Sequence, residues 1–276
     1  MDLENLVREN RFTISLIFPF VGAVTLLASA EGLLPDFLSY NPLLIIFGTL
    51  VMRLPLISGM KPLIDRKAFL GISFLTLYSY LIEFVGIRTG FPYGFFEYGI
   101  DLGPMIFGEV PLGLPVFFIP LVVNAYLLVL LLFRERSQRF LVRLPMVIGT
   151  VLVLDLVLDP AAVAINFWSY GSGLYYGVPL SNYLGWALSA SVAVLTLDLS
   201  LDRENLLERL EGCEFMLDDM VSFVLLWGGI NLYFLQMIPF LVSTVLGLGL
   251  WKVDRFDFVS ADSFTSPDAS LRNKFS

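Results

Sequence analysis

The sequence predicts an all-α bundle of about seven membrane-spanning helices, and three observations predict it. Apolar residues make up 57% of the chain and charged residues 15%, against about 25% charged in soluble domains. The polar residues gather in short segments between apolar runs, most of them near the roughly 20 residues that cross hydrocarbon. The basic residues fall almost wholly on one side of those runs, which is the positive-inside bias.

The first run, 12–34, reads as an anchored helix. Ala28-Ser29-Ala30 also has the small-residue pattern of a signal-peptide cleavage site, but the apolar core before it is long for that role. Runs at 41–58, 68–87, 111–133, 144–165 and 182–201 follow. The last run, 220–251, is long for one span and short for two, and Pro239 inside it predicts one tilted or kinked helix. With the N-terminus inside, Arg8 and Arg11, Arg53 to Lys67, Arg134 to Arg143, and Arg203 and Arg209 all lie on the inner side. Arg88 alone lies outside. The acidic connection 202–219 has room for a short helix. Residues 1–251 read as a single transmembrane catalytic domain in the cell membrane, and 252–276, rich in Ser, Asp and Asn, as a disordered tail.

Composition excludes several chemistries. The chain has no histidine and one cysteine, Cys213. Ser-His-Asp and Cys-His nucleophiles, His-ligated haem, Cys-ligated iron–sulfur clusters and histidine-rich di-iron sites are therefore ruled out. A net charge of −8 argues against a nucleic-acid partner. The acidic, lysine-poor composition fits a high-salt cytoplasm.

Two outer loops, 88–110 and 166–181, are dense in Gly, Pro and aromatic residues. Such backbone survives at membrane depth only when it is buried in protein or lines a cavity. An aromatic belt at the interface is the plainer reading. Beneath these loops lie three acids within the spans. Asp155 and Asp159 are four residues apart and share a helix face, and Glu83 lies about one turn below the outer end of the third span. An acid at the centre of a span costs roughly 2.5–3.5 kcal/mol on insertion scales, so three at one end suggest a function. The structural alternative is a set of interhelical hydrogen bonds, with Asn124, Asn182, Asn231 and Gln236 as partners and Arg88 capping Glu83. Pro160, directly after Asp159, predicts a bend or break that frees backbone carbonyls.

Carboxyl groups, rings and no redox machinery suit acid-driven chemistry on an alkene. A carboxyl group in an apolar pocket favours its neutral form. It can then protonate a terminal isopropylidene double bond, and the faces of Trp168, Tyr175, Tyr176 or Trp186 can stabilise the tertiary cation. Water activated by a second carboxylate captures that cation, and no cofactor or metal is consumed. Two alternatives stay open. The Asp155-x-x-x-Asp159 spacing can hold Mg²⁺ on a prenyl diphosphate, as in a membrane prenyltransferase. A non-catalytic protein that binds a long apolar ligand would use the same rings.

The stretch Glu83-Phe-Val-Gly-Ile-Arg-Thr-Gly-Phe-Pro-Tyr93-Gly94, followed by Glu97-Tyr98, resembles a block of the membrane carotenoid hydratases. Asp155-Leu-Val-Leu-Asp159-Pro160, Trp168, Gly173 to Pro179, Asn182 and Gly185-Trp186 resemble its second block. The resemblance spans most of 70–200. It implies addition of water to the end of an acyclic carotenoid, with bisanhydrobacterioruberin as the substrate for an acidic sequence of this kind. It also implies membrane lipids and other carotenoid-pathway enzymes as partners. The acid and base roles come from the chemistry above and not from the resemblance: Asp159 is the expected proton donor, with Asp155 or Glu83 orienting water. Tyr93, Glu97, Tyr98, Trp168, Tyr175, Tyr176, Asn182 and Trp186 are the expected substrate-binding residues. Where the family carries a Trp-x-Trp pair, this chain has Trp168-Ser169-Tyr170, which leaves the role of the second ring open.

Overall fold

The computed structural model of the protein describes residues 2–253. Helix α1 (Leu3–Glu9) precedes the bundle, and a π-helical turn at Thr13–Ile17 leads into α2 (Phe18–Ala30). Then come α3 (Pro42–Met60), α4 (Arg66–Thr89), α5 (Leu114–Phe133), α6 (Phe140–Ala164) and α7 (Leu180–Ser200). A short α8 (Arg203–Gly212) lies between them and α9 (Asp218–Tyr233) and α10 (Met237–Lys252). Among the described residues, six segments, those built on α2 to α7, are long and apolar enough to cross a membrane. This is the all-α transmembrane bundle that the hydropathy pattern predicts.

The last predicted span is corrected. Residues 220–251 form a hairpin, not one kinked helix. The chain reverses between Tyr233 and Met237, with Leu235 in the left-handed region at φ 55°. A Cβ on Gly228 would meet Ser243, and one on Gly247 would meet Val224, so the two helices run antiparallel. Pro239 is the third residue of α10, where a backbone N–H has no partner within the helix, so proline starts the helix rather than bending it. Each arm has 16 residues, about 24 Å at 1.5 Å per residue. The hairpin brings Lys252 back to the side of Arg8 and Arg11. Residues 252 and 253 close the last helix, and the rest of the predicted tail lies outside the described residues.

In lipid, helices associate through close packing of small residues and through polar contacts rather than by expelling water. α5 is the central helix, and every residue from Pro120 to Leu130 is buried. Small residues set the contacts around it. Gly71 of α4 lies against Ser200 of α7, and Gly22 of α2 faces Leu226 of α9. Ala161, Ala162, Ala190 and Ala193 are fully buried. The lipid-facing sides are plain hydrocarbon, as at Leu77 and Leu81 of α4.

At the inner end, ion pairs join the helices. Arg11 grips Asp218 through both carboxylate oxygens at 2.9 and 3.0 Å. Arg53 pairs with Asp219, which also accepts from Asn124 at 2.6 Å. Arg143 of α6 pairs with Asp198 of α7, to which Tyr126 also donates. Arg53 is therefore not a loop residue of the inner surface, as the charge bias alone implies. It is buried within the bundle beside a fully buried aspartate.

At the outer end, the two aromatic loops pair with each other. β1 (Phe96–Tyr98) and β4 (Trp168–Tyr170) are antiparallel, with Phe96 opposite Tyr170 and Tyr98 opposite Trp168. β2 (Met105–Ile106) and β3 (Val110–Pro111) close the first loop on itself. The loops are thus an ordered cap over the acids rather than a belt of separate rings.

Candidate active site

α4 ends at Gly90, whose φ of 73° is the left-handed conformation that terminates helices. The chain turns there, and Glu83 points inward about 9 Å below the helix end. α6 carries Asp155 and Asp159 on one face, and α7 opens with Asn182 as its third residue. Asn182 is the link between the two acids. Its amide nitrogen donates to Asp155 Oδ2 at 2.8 Å and to Asp159 Oδ2. All three side chains are essentially sealed from the exterior.

The paired strands supply the next layer. Side chains alternate across a strand, so Phe96, Tyr98, Trp168 and Tyr170 face one way, and Glu97 and Ser169 face the other. Tyr98 donates its hydroxyl hydrogen to Glu83 Oε1. Tyr170 reaches Asp159 Oδ2 at 3.2 Å and Asn182 Oδ1 at 3.0 Å. Burial holds the Tyr98 phenol well above its usual range, and the neighbouring Glu83 raises it further. Burial does the same for Tyr170, with Asp159 adding to the rise. Both phenols therefore keep their protons and act as donors.

The Tyr170 hydroxyl has one hydrogen for two acceptors. When it donates to Asn182, its own lone pair faces Asp159 Oδ2, and that contact closes as a hydrogen bond if Asp159 carries a proton. When it donates to Asp159, the carboxylate is charged. The same positions of the heavy atoms serve both states.

These groups surround a cavity of about 100 Å³. Glu83 and Asp159 are the carboxyl groups on its wall, together with Tyr98, Tyr170, Asn182 and the indoles of Trp168 and Trp186. Trp186 stacks on Phe118 with centroids 5.3 Å apart. Tyr93 packs beside Trp186 at 6.0 Å and is anchored through its hydroxyl to Ser189 at 2.6 Å. A Cβ at Gly185 would overlap the Tyr93 ring, so that glycine is required by the close approach. The Trp168 indole N–H leans toward Asp159 without a hydrogen bond of full geometry.

The cavity therefore brings together Glu83, Asp159, Tyr93, Tyr98, Trp168, Asn182 and Trp186 among the residues expected from sequence. Asp155 stands behind Asn182, off the wall, and its Oδ1 has no hydrogen-bond partner. Glu97 is exposed on the far face of β1, because strand alternation turns it away. Tyr175 and Tyr176 also lie outside the wall, on the turn closed by the Tyr175–Val178 bridge.

The expected break at Pro160 does not occur, and α6 continues to Ala164. Proline leaves the Leu156 carbonyl without its helical donor, and the Tyr175 hydroxyl supplies one at 3.3 Å. Asn231 serves the Val157 carbonyl and Gln236 that of Pro160. Asn124, Asn231 and Gln236 thus have partners other than the three acids. Arg88 does not cap Glu83 either. It pairs with Glu109 at 2.6 Å and lies over the Phe84 ring.

Sequence reasoning missed Tyr170 as the second ring of the site, and the Trp168-x-Tyr170 alternation was the signal for it. Phe96 carried the same strand signal. Phe118 lies in an unbroken apolar run and offered none.

Among the described residues, no three His, Cys, Asp or Glu side chains stand close enough to hold a metal ion together. The family model of carotenoid biosynthesis proteins matches residues 40–250. Over 255 residues the chain is 62% identical to a protein of Haloarcula japonica named bisanhydrobacterioruberin hydratase, covering 92% of this chain and 87% of that one. No solved structure matches the chain.

Proposed function

The chain belongs to the carotenoid biosynthesis protein family, and from that premise we propose that it is a carotenoid hydratase of the cell membrane. It adds water to the terminal isopropylidene double bond of bisanhydrobacterioruberin. The observation that carries this reading is the cavity, where two carboxyl groups from distant parts of the chain face a space otherwise walled by rings and neutral donors.

Asp159 transfers its proton to the less substituted alkene carbon, and the positive charge develops on the tertiary carbon. The faces of Trp168, Trp186 and Tyr170 stabilise that charge, since indole is the strongest of the aromatic partners for a cation. A water molecule bonds to the tertiary carbon as Glu83 accepts one of its protons, giving a tertiary alcohol. Proton return from Glu83 to Asp159 completes the cycle, so the net change is addition of one water. Glu83 fits the role of base better than Asp155, because Glu83 lies on the wall and Asp155 does not. Asp155 positions Asp159 through their shared Asn182 amide. Tyr98 holds Glu83, and Tyr170 accommodates both protonation states of Asp159.

The Asp155/Asp159 spacing also fits a Mg²⁺-dependent prenyl transfer, and one experiment separates the two. The chain is expressed in a host that makes the anhydro carotenoid, and the pigment is analysed by mass. A gain of one water, insensitive to chelator, is expected. A gain of a prenyl unit that chelation abolishes identifies a transferase. Pigment that co-purifies at unchanged mass identifies a binding protein. Full turnover by Asp159→Asn removes that residue from the mechanism.

A further inference from the structure

The cavity that holds Glu83 and Asp159 is too small for a whole carotenoid. Its volume is about 100 Å³, less than the roughly 150 Å³ of an apolar cavity that binds one benzene. It can house an end group, and the remainder of the molecule must leave it. A second space of about 230 Å³ lies along the seam between α2 and α3, with Leu226 and Trp227 of α9 in its wall. Phe117, Phe167 and Trp227 belong to the walls of both spaces. The two are therefore neighbours across a shared wall of rings, with Phe167 and Trp227 edge to face at 6.2 Å.

The seam is suited to a rigid apolar rod. Leu26, Leu38, Leu44 and Ile45 line it, the Tyr40 hydroxyl is taken up by the Ile165 carbonyl at 2.7 Å, and two further hydroxyls are turned back onto their own helix. Thr25 donates to the Val21 carbonyl at 2.8 Å and Ser29 to that of Thr25 at 2.9 Å. Gly48 opens the groove at its middle, where an added Cβ would meet nothing within 4 Å. From Asn41 to Arg53 the groove follows α3 for about 18 Å at 1.5 Å per residue, and Arg53, held by Asp219, marks its inner end.

We infer that the α2–α3 groove binds the polyene of the substrate and that Phe117, Phe167 and Trp227 form the neck through which the end group reaches the acids. This assignment rests on the hydratase reading for its occupant. The groove opens toward lipid through exposed residues such as Phe47 and Leu44, so the polyene enters sideways from the bilayer.

The test is Gly48→Phe in the full chain, with the lipid-facing Leu77→Phe as control. Two readouts are taken with bisanhydrobacterioruberin: kcat/KM in membranes, and the pigment retained per protein after detergent purification. Gly48→Phe is expected to lower both about tenfold or more, equivalent to about 1.4 kcal/mol, while the Leu77→Phe control stays within about twofold. A Gly48→Phe protein that retains and converts pigment like the unsubstituted chain overturns the proposal and leaves the groove to lipid acyl chains. If Gly48→Phe does not accumulate, Leu44→Trp on the same wall, 46% exposed, repeats the test. Failure of the hydratase reading looks different: pigment mass is unchanged in every variant, and the retention readout still reports on the groove.

Discussion

Replacing Asn182 by leucine tests the site at its centre. The substitution keeps the γ-branched shape of the side chain and raises helix propensity, so α7 should fold as before. It removes both amide hydrogen bonds to the carboxyl groups and the acceptor for Tyr170. Asp159 keeps Tyr170, but Asp155 loses the one side-chain donor that reaches it, and its Oδ1 already lacks a partner. A buried polar group stripped of its partner costs about 1–3 kcal/mol and a single lost hydrogen bond about 0.5–1.5 kcal/mol, so the losses at Asp155 and Asp159 together are worth about 1.5–4.5 kcal/mol. Small movements of the acids offset part of this. If about 3 kcal/mol falls on the proton-transfer step, turnover drops by about two orders of magnitude. The assay follows conversion of bisanhydrobacterioruberin in membranes with equal amounts of folded protein, verified by size-exclusion profile and thermal unfolding in detergent. A folded Asn182→Leu protein with turnover within about twofold of the original would refute the reasoning, because the two acids would then not depend on their shared donor.

Three further outcomes are expected. Tyr98→Phe removes the hydroxyl that Glu83 accepts, a bond worth roughly 1–3 kcal/mol, and should lower kcat by about ten- to a hundredfold while pigment retention is preserved. Glu97→Gln alters a side chain on the exposed face of β1 and should leave the rate within about twofold, as measured by the same conversion assay. Arg53→Leu leaves Asp219 buried without its cation, a loss of about 3–5 kcal/mol. Thermal unfolding of the detergent-solubilised protein should show that loss, and the double variant Arg53→Leu/Asp219→Leu should recover part of it.

Much of the fold was legible because the bilayer restricts what a sequence can do. Each long span begins and ends within a few residues of its apolar run, since hydrocarbon tolerates little else. The hairpin was not legible. Its turn at Phe234-Leu235-Gln236 contains no glycine, proline or asparagine, and the left-handed residue is a leucine. Pro239 drew attention to the wrong place, since a proline in a first turn and one in a helix interior look alike in sequence. In the site, Glu83, Asp155 and Asp159 stood out because acids within spans are rare. Glu97 matched a motif, yet it points away, which becomes visible only once β1 pairs with β4. The inner ion pairs were missed for a different reason. Charges near helix ends read as surface, and pairing across 166 positions, as between Arg53 and Asp219, leaves no local trace.

The acids of this bundle are held in two different ways, and the difference explains why only one set is suited to catalysis. At the inner end, Asp198, Asp218 and Asp219 each face an arginine. Each of these carboxylates is tied to a guanidinium from a distant part of the chain, so the pairs serve to lock helices together. At the outer end, the hydrogen-bond donors to Glu83, Asp155 and Asp159 among the described residues are Tyr98, Asn182 and Tyr170. Arg88, the cation of that end, is taken up by Glu109. A carboxyl group held by neutral donors can gain or lose a proton without stranding a charge on its partner. The hydrogen bond between Tyr170 and Asp159 can also reverse direction without moving a heavy atom. Neutral donors of this kind favour reversible proton traffic in a low-dielectric site, because they bias the two protonation states less than a cation does. It also explains why an arginine introduced beside Asp159 would be expected to stabilise the carboxylate while suppressing proton donation to the alkene.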